Sequence, residues 1–280
     1  MKVRKLLGIA VAMVMCCGLA SVAMGDFVAY NDFSGTSAGN VTSHGLHTGG
    51  TLVDYDTGGA LTARVDTWGL DNNGNVSGGS PITAGGGYNF TAGPGTLFNG
   101  IIDMSGLIQY GDTGWYTDTH FSGLDPSKAY DVVVTANRGS SSAGYEARWS
   151  KFTLHDATEI PPLRNYPETY SQAHTQASET GAGGEWVFQT PASNITMFST
   201  GRNWSTGYGA IAQWLDVRPN ATGEFWIRVE ADDEFGEARK GYGIQALRLI
   251  EHDAPGGAIP EPAGLGLVGL ALLAVRRRRS

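Results

Sequence analysis

The stretch Glu224-Phe225-Trp226-Ile227-Arg228-Val229-Glu230 sets Phe225, Ile227 and Val229 on one face under a period of two. That is the repeat of a half-buried β-strand, whose side chains point alternately to the two sides of a sheet. Other stretches have the same character. Arg148-Trp149-Ser150-Lys151-Phe152-Thr153-Leu154 alternates, and Tyr130-Asp131-Val132-Val133-Val134-Thr135-Ala136 is a β-branched run opened by the turn Leu124-Asp125-Pro126-Ser127. Tyr242 to Ile250 closes the series with Ile244, Ala246 and Leu249 or Ile250 as its apolar positions. Working outward, further candidate strands cover 27–33, 51–55, 61–67, 98–103, 115–121, 186–189 and 210–217. No stretch sustains the period of a long helix. About ten to twelve short strands bounded by turn residues predict an all-β fold, an antiparallel two-sheet sandwich.

Composition agrees. The 280 residues include 41 glycines, about twice the usual share, together with 7 Trp, 11 Tyr and 10 Phe. Glycine beside aromatics suits many strands joined by tight turns around an aromatic-filled core, whereas a disordered chain would lack the aromatics. The glycine-rich segments 69–95 and 177–184 read as loops. The body, 26–259, reads as one domain, because the part before the first of these loops has too few strands to close a core of its own.

The ends have a different chemistry. Residues 1–25 combine Lys2, Arg4 and Lys5 with an apolar run from Leu6 to Ala20 and small residues at alternating positions in Ser21-Val22-Ala23-Met24-Gly25. This is the pattern of a secretory signal peptide, with cleavage expected after Ala23 or Gly25. Cys16 and Cys17, the two cysteines of the chain, fall inside that run, so neither disulfides nor cysteine-ligated zinc are available to the body. At the other end Pro260-Glu261-Pro262 precedes an uncharged segment from Ala263 to Val275 and the cluster Arg276, Arg277, Arg278 and Arg279. Thirteen helical residues reach about 20 Å, short for a hydrocarbon core of roughly 30 Å, but arginine snorkelling and bilayer thinning can close that gap. Basic residues stay on the cytoplasmic side, so both tips are expected inside and everything between them outside. The formal net charge of −8 hides this asymmetry: with the ends set aside, 12 basic residues face 26 acidic ones. That balance excludes a general nucleic-acid binder, whose phosphate contacts rest on Lys and Arg.

The succession Pro260-Glu261-Pro262, short apolar helix and terminal arginines resembles the PEP-CTERM sorting signal of exported bacterial proteins. The resemblance covers the last 21 residues, 260–280. It implies an exosortase as processing partner, transient membrane insertion through the C-terminal helix, and delivery of the body to the envelope or the medium in bacteria that make extracellular polysaccharide. A second resemblance spans 96–251. Phe98 to Asp103, Phe121 to Pro126, Tyr130 to Gly139, Tyr145 to Thr153, Trp214 to Pro219, Gly223 to Arg228 and Tyr242 to Ile250 follow one another as in the galactose-binding-like jelly-roll modules of secreted bacterial proteins. It implies a jelly-roll-like sandwich, flanked here by an N-terminal signal helix and a C-terminal hydrophobic helix. Many such modules bind sugars and others only pack against neighbours, so the fold alone does not decide function.

Catalytic patterns are few. The histidines are His44, His47, His120, His155, His174 and His252. His44 and His47 lack the i, i+4 spacing and intervening Glu of a helical zinc protease site. There is no phosphate-cradling Gly-Lys-Ser loop. The expectation is a non-enzymatic protein without an obligatory cofactor. Calcium is the ion the sequence suits best, through Asp71 and Asn73 in an Asn/Gly-rich turn or through Asp232, Asp233 and Glu234 at a strand end. For sugar recognition, an aromatic platform with planar polar neighbours is supplied by Arg202, Asn203 and Trp204. Trp68 and Trp115 lie near glycine-rich turns, while Trp149, Trp186 and Trp226 sit in strand patterns and read as core. Arg138 and Arg148 read as partners of carboxylates between strands. The leading expectation is an exported surface or extracellular protein holding polysaccharide. The alternatives are a structural or adhesive envelope protein, or a secreted glycan hydrolase whose carboxylate pair leaves no sequence motif.

Overall fold

A computed structural model describes residues 26–33, 39–70, 82–85, 87, 94–109, 114–138, 148–158, 189–192, 194–201, 210–232 and 240–254. Both terminal segments, with the sorting motif, lie outside the described residues, as do Asp71, Asn73, Trp186, Arg202, Asn203, Trp204, Asp233 and Glu234. The strands are β1 (Val28–Asp32), β2 (Gly49–Val53), β3 (Ala60–Leu70), β4 (Ile82–Gly85), β5 (Gly106–Gln109), β6 (Tyr116–Ser122), β7 (Lys128–Thr135), β8 (Trp149–His155), β9 (Gln189–Ala192), β10 (Ile195–Ser199), β11 (Ala212–Val217), β12 (Phe225–Ala231) and β13 (Ala246–Asp253). They form a four-stranded sheet in the order β1-β13-β7-β11, a seven-stranded sheet in the order β2-β3-β6-β12-β8-β10-β9, and a β4-β5 pair. All the strand pairings are antiparallel.

The two large sheets pack face to face. Val132 and Val134 of β7, Leu247 and Leu249 of β13 and Trp214 of β11 meet Val65 of β3, Phe121 of β6, Phe225, Ile227 and Val229 of β12, and Phe152 of β8 in one buried cluster. Phe121 and Phe225, paired across β6 and β12, stack at 4.6 Å between ring centroids. Burial of this alternating apolar set is the main force holding the sandwich closed. Ile244 and Leu249 join the core as the sequence suggests, but Ala246 faces the opposite side of its sheet.

Residues 98–103, expected as a strand, instead continue a 3₁₀ turn, Pro94–Phe98, in which Phe98 O accepts from the backbone N–H of both Ile101 and Ile102. Phe98, Ile102 and Met104 then cover Tyr30, Val133 and Ala246 on the outer side of the four-stranded sheet. The segment 69–95, expected as a loop, contains β4.

Local chemistry sets the strand ends. Asn220 Oδ1 accepts from the N–H groups of Thr222 and Glu224, an Asx turn that starts β12. Asp125 Oδ1 accepts from Ser127 N and Oγ in the turn before β7. Gly223 closes the approach between the β6 and β12 ends: its φ is +77°, and a Cβ there would stand 2.2 Å from Leu124 O. Near the exit of β13, Tyr130 Oη donates to Glu251 at 2.6 Å and accepts from Asp125 N at 2.8 Å. Burial pushes the Glu251 carboxyl above its usual range, against the opposing effects of Tyr130 and Lys128.

Candidate functional site

With Phe225, Ile227 and Val229 turned inward, period two sends Trp226, Arg228 and Glu230 to the outer side of the larger sheet. The ladder registers align this side into rows. Asp66, His120, Trp226 and His155 are successive cross-strand partners on β3, β6, β12 and β8. Trp68, Asp118, Arg228 and Thr153 form the next row, and Tyr116, Glu230 and Lys151 the one after. Four strands distant in sequence thus build one surface, and neighbouring rows are close enough for side chains to interact.

The aromatic members form a continuous patch. His120 stacks on Trp226 with ring centroids 4.0 Å apart and planes 14° from parallel. Trp68 leans over both, 5.9 Å from Trp226 and 6.4 Å from His120. At 41% exposure, Trp68 is the one large hydrophobic side chain left open among the described residues. Trp226 is half-buried on this outer face, which corrects its reading as core. It shares parity with Glu224 and Arg228, and that parity outweighs its apolar character. Trp115, expected near a glycine-rich turn as a candidate platform, is 1% exposed and belongs to the core. Trp149 is buried, as expected.

Planar polar groups border the patch. Arg228 donates to both oxygens of Asp118, from Nε at 2.8 Å and Nη2 at 2.6 Å, and lies over the Tyr116 ring at 4.0 Å. The hydrogen bond to Asp118, opposed by partial burial, holds the guanidinium above its already high ordinary pKa. Such a two-pronged pair fixes its side chains more firmly than a single contact does. An open hollow beside the stack is lined by Asp118, His155, Asp156, Trp226 and Arg228. Lys151 and Glu230 pair at 2.6 Å, Arg64 and Asp66 at 3.6 Å, and His120 faces Glu224 at 3.7 Å. Charges of opposite sign therefore accompany one another across the face. Chemically, it offers flat apolar ring surface flanked by pre-oriented donors and acceptors.

The arginines expected as interstrand partners of carboxylates gather at a tyrosine. Arg148 Nη1 donates to Tyr242 Oη, and the guanidinium carbons of Arg138 and Arg148 lie 6.0 and 5.8 Å from its ring centroid. Of the calcium candidates, Asp232 alone is described; it is buried, and its N–H donates to Trp149 O.

A second group was not singled out by the sequence. Asp131 of β7, Asp216 of β11 and His252 of β13 each point one ligand-type atom into a common space, all within 4.8 Å of one another. His252 Nε2 is 3.1 Å from Asp131 Oδ1 and 3.6 Å from Asp216 Oδ1. Asp216 lies in a β-bulge opposite Asp131, with φ at +55°, and its N–H donates to Asp131 Oδ1 at 2.9 Å. Burial lowers the His252 pKa, but the hydrogen bonds to Asp253 O and Asp131 and the charges of Asp131 and Asp216 outweigh it, leaving the ring above its ordinary value. The three positions are separated by dozens of residues, so no local motif marks them.

Compared with protein-family models, with curated proteins and with solved structures, the chain matches none.

Proposed function

We propose that this chain is an exported bacterial protein of the envelope or extracellular space. In this reading it is sorted by an exosortase-type system and binds neutral extracellular polysaccharide, without catalysis, on the outer face of its seven-stranded sheet. The observation that carries the binding reading is the exposed Trp68 beside the His120–Trp226 stack. Pyranose rings present C–H faces that an indole covers well and hydroxyls that planar amphoteric borders satisfy. The matched charges favour an uncharged glycan, because a polyanion would gain little from Arg228 while Asp118 occupies it. The same engagement leaves Asp118 poorly disposed as a glycosidase nucleophile or acid, which weighs against hydrolysis.

The sorting reading rests on Pro260-Glu261-Pro262, the apolar run and Arg276 to Arg279. Consecutive strands cross between sheets at β6-β7-β8 and again at β11-β12-β13, a connectivity that accords with a jelly-roll-like module. Two experiments test the proposal. Mass spectrometry of the protein from envelope and medium should show the leader removed and the C-terminal segment cut near Pro260; an intact chain in the cytosol would refute export. Affinity electrophoresis through gels containing a β-glucan, a galactan or a xylan should retard the protein. Unchanged mobility in all three would favour a structural or adhesive role, whereas release of reducing ends would favour a hydrolase.

A further inference from the structure

The geometry at Asp131, Asp216 and His252 poses a question of charge. His252 Nδ1 lies 3.0 Å from the Asp253 carbonyl oxygen, which can only accept, so Nδ1 carries a proton. A neutral ring would then turn its Nε2 lone pair toward two carboxylate oxygens, at 3.1 and 3.6 Å. Three acceptor atoms brought together in this way call for a proton or a metal ion among them. A proton on Nε2 has one bond direction and suits the shorter contact. Metal bonds of about 2.0–2.1 Å in tetrahedral array place neighbouring donor atoms roughly 3.4 Å apart, a spacing that the two measured distances bracket. The Nδ1–H bond to a backbone carbonyl is also the outer-shell contact that orients a ligating histidine, and the Asp216 N–H steadies Asp131 in the same manner.

We propose that Asp131, Asp216 and His252 form a binding site for a divalent transition metal of the zinc class, with one ligand from each of three adjacent strands and the remaining positions open. An imidazole beside two carboxylates suits zinc, manganese or cobalt better than calcium, which takes six to eight oxygens. The site lies on the four-stranded sheet and does not depend on the glycan face of the other sheet.

The test is thermal unfolding of the full-length protein, without a polyhistidine tag, stripped with EDTA and then given about 100 µM ZnCl2, MnCl2 or CaCl2. For a micromolar Kd, zinc should raise Tm by roughly 5–10 °C, and EDTA should reverse the rise. Cobalt should give a visible d–d band that zinc displaces. His252→Ala and Asp216→Asn should each abolish the zinc shift and the cobalt band; their metal-free melting curves establish that they fold, and one folded variant is enough for the comparison. No zinc or manganese response in the parent protein would overturn the proposal. An undiminished zinc shift in a folded variant would overturn it too, because the metal would then bind elsewhere, and a response to calcium alone would overturn the metal class.

Discussion

Replacing Trp68 with alanine removes the exposed indole of the proposed glycan face. A tryptophan carries up to about 250 Å² of surface, and 41% of Trp68 is exposed, so about 100 Å² is open to a ligand. A sugar ring reaches one side of the indole, about half of that area. At about 25 cal/mol per Å², covering about 50 Å² contributes roughly 1.3 kcal/mol, close to a tenfold change in affinity. Trp68 also packs against Trp226 and His120, and the roughly 100–150 Å² covered there corresponds to about 2–4 kcal/mol of stability at the same coefficient, so the affinities are compared in protein that urea denaturation shows to be folded. The assay is isothermal calorimetry against whichever of the three polysaccharides retards the parent protein, with urea denaturation run in parallel. Affinity unchanged within twofold in a fully folded Trp68→Ala protein would refute this face as the binding surface. A loss that only tracked unfolding would refute the division of labour between exposed Trp68 and the core beneath.

Three further outcomes follow from packing and charge. Phe225→Ala removes a fully buried ring that stacks on Phe121, and should cost about 3–5 kcal/mol in urea denaturation; less than about 1 kcal/mol would mean the two sheets repack freely. Gly223→Ala meets both a left-handed backbone and the Leu124 carbonyl, and should lose about 2–4 kcal/mol. Gly39→Ala, with a φ of +76° and open space around it, should lose only the backbone share of roughly 1–2 kcal/mol, and equal losses would contradict the clash. Glu251 has a raised carboxyl pKa, caused chiefly by burial and opposed by Tyr130 and Lys128. Its favourable protonated state is fully present below the ordinary value of 4.5 and is lost as pH rises through the raised folded value. The stability of the parent relative to Glu251→Gln should therefore fall from pH 4 toward neutrality, as followed by thermal melts across pH; a rise would reverse the assignment.

What the sequence displays and what it conceals divide along the range of the interactions. The inward set Phe225, Ile227 and Val229 was legible because period two is a local signal, and so was the turn built on Asp125 and Ser127. The segment from Phe98 to Asp103 misled because its apolar residues also satisfy the i, i+3 and i+4 spacing of a helical turn, and Asn99-Gly100 allows the chain to bend there. The strand β10 was missed: Ile195, Met197 and Phe198 are apolar without strict alternation, and both sides of the strand are covered. The reading of Trp226 as core weighted hydrophobicity above the parity it shares with Arg228. The rows on the outer face could not be read at all, since they exist only once four strands have taken their register. Asp131, Asp216 and His252 are brought together the same way, by three strands and a bulge that re-aims Asp216.

The first and last strands of the body lie side by side, β1 paired to β13 from Val28 opposite Ile250 to Asp32 opposite Ala246. Lys128 reaches both Asp26 and Asp253, at 3.6 and 2.7 Å. Asp26 and Asp253, at the two ends of the described body, therefore lie at one corner of the sandwich. If the tail tethers the protein while polymer drags on the far sheet, tension enters through β13, an interior strand held on both flanks. Its hydrogen bonds lie across the direction of pull, so they are loaded together in shear instead of peeling apart one after another. The geometry is that of a mechanical clamp, and single-molecule pulling from the C-terminal end should meet higher rupture forces than pulling that unzips β9 from its edge.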